Sequence, residues 1–288
     1  MKMNSVEIKD TFAEAWELEV VRLVITAISE DIAMEAAHQF VGAAGSSELG
    51  SNVSGGIEGA VSPSETPDGR SGVAVQLTMP PGEHEQLVDQ LALRVVLSTL
   101  VPSCAVFDFP ASDIETKSID LYGETNDNWE GHDCEEVISG HEMAVTPTTT
   151  GSFKYEKEVS YSTEGTDGHF VCYADNESEA IFAVKAAKAA IKDIDGVSPM
   201  GYGLEQVYRE WDYVPALRDE IEDSKVPEDI NSILNLLMFG SSMERMEKAM
   251  EAGLRAATNS GNLISIGAMN FGGEFGSYEY HLHDLLEA

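Results

Sequence analysis

The chain contains, near its C-terminus, the stretch Met269-Asn270-Phe271-Gly272-Gly273-Glu274-Phe275-Gly276. An apolar segment, Leu263 to Ile266, precedes this stretch, and a segment of alternating character, Tyr278 to Leu282, follows it. Glycine is favoured where φ must be positive or where another backbone or a ligand approaches closely. Paired glycines between two strands therefore predict either a hairpin or a loop that faces a ligand.

Outward from this stretch, one pattern recurs: an apolar strand, a polar capping residue and an amphipathic helix. Val20 to Ala27 is followed by a helix that Ser29 caps, and Ile233 to Phe239 by a helix that Ser242 caps. The methionines of the second helix have the spacing of core residues. The other predicted elements are strands at Gly55–Ala60, Val73–Met79, Cys104–Phe107, Ile119–Tyr122, Met143–Pro147, Gly151–Ser160, Phe170–Ala174, Leu263–Ile266 and Tyr278–Leu282, and helices at His84–Ser98 and from Asn176 to about Ile194.

Helices that alternate with hairpin-connected strands are typical of an α+β sandwich. A length of 288 residues exceeds the usual size of one hydrophobic core, so we expect two lobes. Each lobe is predicted to be ferredoxin-like, with a mostly antiparallel sheet flanked by helices. Because Thr148-Thr149-Thr150-Gly151 breaks the pattern, we expect an N-terminal, proximal lobe at 1–147 and a C-terminal, distal lobe at 148–288.

The charge of the chain narrows the classes of partner. There are 51 acidic against 17 basic residues, which gives a net charge of −34. Nucleic-acid and anionic membrane binding both need clustered basic residues, so neither partner is expected. Because the acidic residues are spread along the whole chain, we expect an acidic surface suited to a salty, halophilic cytoplasm. An ordinary acidic protein is the alternative.

Further features favour a cytoplasmic protein with reduced thiols. No apolar run approaches the roughly 18 residues that span a membrane, and the N-terminal segment lacks the apolar core of a signal peptide. Cys104, Cys134 and Cys172 are far apart and show no metal-binding spacing. His281 and His283 would share one face of a strand, but no third ligand is suitably spaced, so no metal is expected.

The polar loop Pro63-Ser64-Glu65-Thr66-Pro67-Asp68-Gly69-Arg70 is a second candidate site. Its prolines fix φ, and Pro-Asp-Gly is a turn signal. The planar fork of Arg70 could grip a carboxylate or a phosphate. The alternative is a turn held together by an internal pair between Arg70 and an acidic neighbour.

Several stretches together resemble the formylmethanofuran–tetrahydromethanopterin N-formyltransferase family, as a divergent member. They are Val6 to Ala15, the loop ending at Arg70, Gly168 to Ile191, Asn270 to Gly273, and His281-Leu282-His283-Asp284-Leu285. The resemblance implies formyl transfer from formylmethanofuran to N5 of tetrahydromethanopterin, or of a related one-carbon carrier, in a homo-oligomeric dimer or tetramer. It implies no cofactor, since methanofuran and the pterin are substrates. The substrate-binding residues that it implies are Glu65, Asp68, Arg70, Asn270, Phe271, Gly272 and Gly273.

The chain departs from the family pattern at one position of chemical importance. The family's acid/base glutamate aligns with Asn235, and an amide cannot accept and return a proton near neutral pH. A shifted carboxyl from Glu205, Glu210 or Glu228 is one alternative reading. Another is a catalytically degenerate homologue that acts as a binding, regulatory or scaffold subunit. A general acyl-binding or pterin-binding module also stays open.

Overall fold

The computed structural model describes residues 1–45, 50–125, 131–200, 211–260 and 262–287. The chain forms two compact units. The terminal unit consists of Met1–Glu17 and Thr166–Ala288, and the inner unit consists of Leu18–Gly165. This division differs from the expected boundary between 147 and 148. The physical reason is strand pairing, which joins the first residues of the chain to its C-terminal part.

The secondary structure follows the recurring strand and helix pattern of the sequence. The strands are β1 (Lys2–Met3), β2 (Val6–Ile8), β3 (Phe12–Ala15), β4 (Glu17–Ala27), β5 (Ser54–Val61), β6 (Ser71–Met79), β7 (Ala105–Asp108), β8 (Lys117–Asp120), β9 (Cys134–Ile138), β10 (His141–Thr148), β11 (Gly151–Glu156), β12 (Glu158–Ala174), β13 (Val197–Pro199), β14 (Ser232–Gly240), β15 (Leu263–Gly267) and β16 (Tyr278–His281). The helices are α1 (Glu30–Val41), α2 (His84–Ser98), α3 (Leu121–Thr125), α4 (Glu177–Ile191), α5 (Met243–Asn259) and α6 (Leu282–Glu287), with short 3-10 turns at Trp211–Tyr213 and Pro215–Leu217.

The sheet of the terminal unit has the strand order β1-β2-β15-β12-β14-β13. Only β2 and β15 run parallel among these neighbours. Helices α4 and α5 pack on one face, where Met246 and Met250 join the buried core as their spacing predicts. β16 pairs with β3 in a separate two-stranded sheet. The predicted hairpin of β15 and β16 is therefore wrong, because each strand finds its partner elsewhere in the chain.

The strands of the inner unit follow the order β5-β6-β4-β7-β11-β10-β9. Neighbouring strands in this order are antiparallel except β7 and β11. Helices α1 and α2 cover one face, where Phe40, Leu87 and Leu91 pack against Leu23 and Val75. Mostly antiparallel sheets with helices on one face confirm the α+β sandwich of two lobes. In the described part of the chain, no helix has the length and apolar character to cross a membrane.

Candidate functional site

The face of the terminal sheet opposite α4 and α5 carries a cavity of about 450 Å³. Side chains alternate along a strand, so Val171, Tyr173 and Ile233 point away from the helices, whereas Phe170 and Leu234 pack against them. The cavity therefore has an apolar floor. Its walls come from the β2–β3 connection, the loop after β15 and the segment after 211: Lys9, Thr11, Tyr213, Lys225, Asn270 and Phe271.

The loop after β15 is folded around the carboxylate of Glu14 on β3. Oε2 of Glu14 accepts hydrogen bonds from the backbone N–H groups of Phe271 at 2.6 Å and Gly273 at 3.2 Å. Oε1 accepts from Phe275 at 2.7 Å and Gly276 at 2.6 Å. Burial alone would raise the pKa of Glu14, but the four backbone donors lower it to about 2. The carboxylate is therefore ionised at neutral pH although the residue is only 1% exposed.

Asn270 and the paired glycines complete the fold of the loop. Nδ2 of Asn270 donates to the Thr11 hydroxyl and to the Phe12 carbonyl, both at 3.1 Å. Its Oδ1 accepts from the Gly272 N–H at 3.2 Å. The φ angles of Gly272 and Gly273 are 84° and 75°, which confirms that these glycines supply positive φ. Asn270 lines the cavity, but these polar atoms bind the loop and its neighbours.

The start of the loop is anchored by a buried histidine. Nε2 of His169 on β12 accepts the Met269 N–H at 3.0 Å. Burial lowers the pKa of His169 to about 4, although the Met269 carbonyl, which lies 3.1 Å from the same nitrogen, opposes this shift. The ring is therefore neutral at pH 7, which leaves its nitrogen free to accept the backbone proton.

Aromatic side chains project from the same loop. Phe271 is 57% exposed and Phe275 is 68% exposed. Their rings meet edge to face with centroids 5.9 Å apart, and Trp16 lies 6.4 Å from Phe271. Exposed aromatic groups held in fixed geometry are typical of a surface that binds an apolar or aromatic partner.

Two lysines of the cavity lie over tyrosine rings, Lys9 over Tyr173 and Lys225 over Tyr213. The ammonium of Lys9 lies 3.7 Å from the centroid of the Tyr173 ring. Burial lowers the pKa of Lys9, while the charge of Glu7 opposes the shift. Lys225 forms an ion pair with Asp212 at 2.7 Å. The cavity thus places ammonium groups next to aromatic faces in a chain that is otherwise strongly acidic.

Asn235 lies on β14 directly opposite Val171 of β12. It is two residues from Ile233 of the cavity floor and lies on the same face of the strand. It is only 3% exposed, and its Oδ1 has no hydrogen-bond partner among the described residues. Of the alternative carboxylates, Glu228 is exposed. Glu205 and Glu210 lie outside the described residues.

The loop that contains Glu65, Asp68 and Arg70 belongs to the inner unit. Nε of Arg70 donates to Asp68 at 2.8 Å, Nη1 to the Ser103 carbonyl at 2.5 Å, and Nη2 to the Thr26 hydroxyl at 3.0 Å. This is the internal pair that the sequence left open as the alternative. Asp68 and Arg70 line a cavity of about 470 Å³ in this unit, and Glu65 is exposed. Asn270 and Phe271 border the other cavity, in the terminal unit.

The two C-terminal histidines do not share a strand face, because β16 ends at His281 and His283 lies in α6. Nε2 of His283 lies 2.8 Å from the Ile8 carbonyl, and Nε2 of His281 lies 3.1 Å from Glu279. Within the described ranges, no group of three or more His, Cys, Asp or Glu side chains could hold a metal ion.

Sequence reasoning missed Glu14 and Lys9 as parts of the site. The only local signal for Glu14 is a carboxylate between two alanines, Ala13 and Ala15, in a short strand. Lys9 carries a weaker signal, since a basic residue is unusual in so acidic a chain. Neither signal says which distant loop or ring the side chain meets.

The fold is an α+β sandwich of two lobes, and the cavity of the terminal unit is lined by aromatic rings and ammonium groups. The family model described as "Formylmethanofuran-tetrahydromethanopterin formyltransferase" matches residues 1–148, and the model described as "FTR, proximal lobe" matches residues 209–285. The chain belongs to this formyltransferase family. The second description gives the name proximal to the C-terminal part, the reverse of the naming expected from the sequence.

Individual relatives match over nearly the whole chain. The formylmethanofuran–tetrahydromethanopterin formyltransferase of Methanothermus fervidus is 33% identical over 99% of this chain and 100% of its own length. The structure of the Methanosarcina barkeri enzyme superposes with a TM-score of 0.89 at 30% identity, covering 99% of this chain and 100% of the other. The formyltransferase/hydrolase complex of Methylorubrum extorquens, solved with methylofuran, gives a TM-score of 0.87 at 26% identity, covering 99% and 98%.

Proposed function

We propose that this chain transfers a formyl group between formylmethanofuran and tetrahydromethanopterin. The observation that carries this proposal is similarity to formyltransferases over 99% of the chain, in sequence and in fold. Similarity over the full length favours an active transferase over a degenerate scaffold. Methanofuran and the pterin are substrates of this reaction, and the chemistry takes place between their nitrogens.

The reaction is an acyl transfer between two amines. The attacking nitrogen bonds to the formyl carbon, the bond from that carbon to the leaving nitrogen breaks, and one proton passes from the attacking to the leaving nitrogen. Such a step needs both substrates in attack geometry, donors for the oxyanion of the tetrahedral intermediate, and a group that carries the proton. In the cavity of the terminal unit, Phe271 and Tyr173 would pack against substrate rings, and Lys9 would attract anionic groups.

Asn235 is proposed to contact a substrate from the floor of this cavity. Support comes from its position opposite Val171 and from the unpartnered Oδ1, which a substrate N–H could satisfy. An amide can also donate a hydrogen bond to an oxyanion, but it cannot carry the proton. The proton carrier is therefore assigned to another group, and Glu205 and Glu210 remain candidates outside the described residues.

A formyl-transfer assay in molar KCl tests the proposed function. The unaltered protein is expected to turn over. Asn235→Glu places the family's carboxyl group at this position, and a rate increase toward the roughly 100- to 10,000-fold that an acid/base group contributes would show that the chain lacks an effective proton carrier of its own. Asn259→Glu makes the same change at an exposed position and should leave the rate unaltered. A protein that binds both substrates without turnover would contradict the proposal and favour a binding subunit.

The inner-unit loop is proposed as a second substrate-contacting surface. Support comes from the exposed Glu65 carboxylate and from the cavity bordered by Asp68 and Arg70. Arg70→Lys keeps the charge but loses the planar fork. An increase in KM for one substrate with an unchanged rate at saturation would support this role. A loss of stability alone would mean that Arg70 only holds the turn together.

Salt dependence follows from the charge of the chain. With a net charge of −34, self-repulsion of the folded state is strong at low salt and is screened within about 8 Å at 0.15 M ionic strength. We propose a halophilic protein with an acidic surface that works in a salty cytoplasm. Unfolding by urea at increasing KCl is expected to show stability that rises up to molar salt. A flat response would identify an ordinary acidic protein.

The chain is also proposed to form a homo-oligomer, a dimer or a tetramer. Support comes from large exposed apolar side chains, such as Ile28 at 74% and Phe182 at 56% exposure. Sedimentation equilibrium in molar KCl over a range of protein concentrations would measure the assembly. A monomer at all concentrations would refute the proposal.

A further inference from the structure

Glu14 lies outside the residues that sequence reasoning assigned to the site, yet its side chain organises a wall of the cavity. We propose that Glu14 is a positioning residue for the reaction, whose carboxylate sets the backbone of residues 271–276 so that Asn270 and Phe271 face the cavity. The inference rests on the proposed function, because it assigns the cavity to a substrate.

The geometry supports positioning by a carboxylate in particular. Each carboxylate oxygen accepts two backbone N–H groups from the loop. A glutamine would keep one oxygen but would turn its own NH₂ group toward the remaining two donors. An aspartate would keep both oxygens but would be one methylene shorter. Only an ionised glutamate therefore satisfies all four N–H groups with the present backbone.

The loop also approaches Glu14 so closely that a side chain at Gly276 would not fit. A Cβ at Gly276 would lie 2.5 Å from Cγ of Glu14 and 2.7 Å from the Ala15 carbonyl. At Gly273, a Cβ would meet the Glu279 carboxylate at close range, and φ is positive. The loop is thus pressed against β3 and β16, and the direction of Phe271, whose own N–H is bound by Glu14, follows from this contact.

The test combines hydrogen exchange with steady-state kinetics on Glu14→Gln, Glu14→Asp and the control Glu17→Gln. Glu17 is an exposed neighbour on the chain, and its change removes the same charge. Glu14→Gln should lose exchange protection at loop amides among 271, 273, 275 and 276. It should raise KM for one substrate by about 10- to 100-fold with kcat changed by less than about threefold, because the loop contributes uniform binding. Glu14→Asp should be intermediate, and Glu17→Gln should match the unaltered protein.

Each outcome bears on the inference. If Glu14→Gln loses hydrogen-exchange protection in the loop but keeps its KM, Glu14 has a purely structural role and the proposal is overturned. The proposal is also overturned if Glu14→Gln keeps the exchange protection of the loop amides. If Glu14→Gln fails to fold, Glu14→Asp alone decides by the same two readings. If the unaltered protein shows no turnover, the proposed function fails. Glu14 is then judged by equilibrium binding of methanofuran and of tetrahydromethanopterin to the variants: weakened binding of either supports positioning, and unchanged binding overturns it.

Discussion

Replacing Asn235 by leucine should raise the stability of the protein and at the same time lower its rate of formyl transfer. Asn235 is 3% exposed on β14, and its Oδ1 has no hydrogen-bond partner in the part of the chain that the structure describes. The neighbours on its face, Ile233, Leu237 and Val171, are apolar. Leucine therefore matches the surroundings better than asparagine does, and the role of the amide is the proposed contact with a substrate.

The change in stability and the change in kcat have separate physical causes. A buried polar atom without a partner costs about 1–3 kcal/mol, and Asn235→Leu should raise the free energy of unfolding by about that amount. If the amide donates to the oxyanion, its loss should lower kcat by about 100- to 1,000-fold, as for other single donors of this kind. A gain in stability with a loss in rate is the signature of a polar group kept for function.

Urea unfolding and formyl-transfer kinetics at one fixed molar KCl concentration would measure both effects. Thr146→Val is the matched control, because Oγ1 of Thr146, on β10 of the inner unit, is another buried atom that has no hydrogen-bond partner among the residues described. It should raise stability and leave kcat unaltered. The reasoning is refuted if Asn235→Leu lowers stability, or if it leaves kcat within about threefold of the unaltered protein, since one donor is worth far more.

The remaining predictions concern buried charge, pH and the loop. Arg22→Met should lower the free energy of unfolding by about 3–5 kcal/mol in urea, because it removes the cation of a buried ion pair and leaves the Glu58 carboxylate with its hydrogen bond from Gln76 but without the guanidinium charge. Because the pKa of His169 falls from 6.5 to about 4 on folding, the unfolded state binds more protons between these values. Stability should therefore fall as pH drops from 6.5 toward 4, and His169→Gln should flatten this part of the curve. A Cβ at Gly272 would meet no atom within 4 Å, so Gly272→Ala should be strained only through its positive φ. A Cβ at Gly273 would also meet the Glu279 carboxylate, so Gly273→Ala should weaken substrate binding more than Gly272→Ala does.

Helices and their starts could be predicted from the sequence because their signals are local. The helix expected over His84–Ser98 has those bounds. The caps expected at Asn176 and Ser242 accept hydrogen bonds from the N–H groups of Glu179 and Arg245. Ser29 also precedes its helix, but its side chain makes no capping bond and contacts Asp31 instead. Periodicity and capping therefore defined the elements without knowledge of the rest of the chain.

The division into units could not be predicted in the same way. The strands β2 and β3 contain three and four residues, too short for a periodic signal. Their partners, β15 and β16, lie more than two hundred positions further along the chain. Ser265 pairs with Glu7 and Tyr280 with Ala13, and nothing in either segment alone specifies the other. Because of this long-range pairing, the first residues of the chain belong to the terminal unit, and β15 and β16 do not pair with each other as expected.

The glycine-rich stretch shows why a distinctive motif and a substrate contact need not be the same residues. Its glycines hold positive φ, the polar atoms of Asn270 bind the loop, and four of its N–H groups bind Glu14. Most of the stretch is therefore constrained by folding, which is reason enough for an unusual sequence. What it contributes to the cavity is the exposed ring of Phe271, and Lys9 and Tyr173 line the same cavity. These three residues of the cavity lining thus come from three separate segments of the chain, and only one of the segments contains the glycine-rich motif.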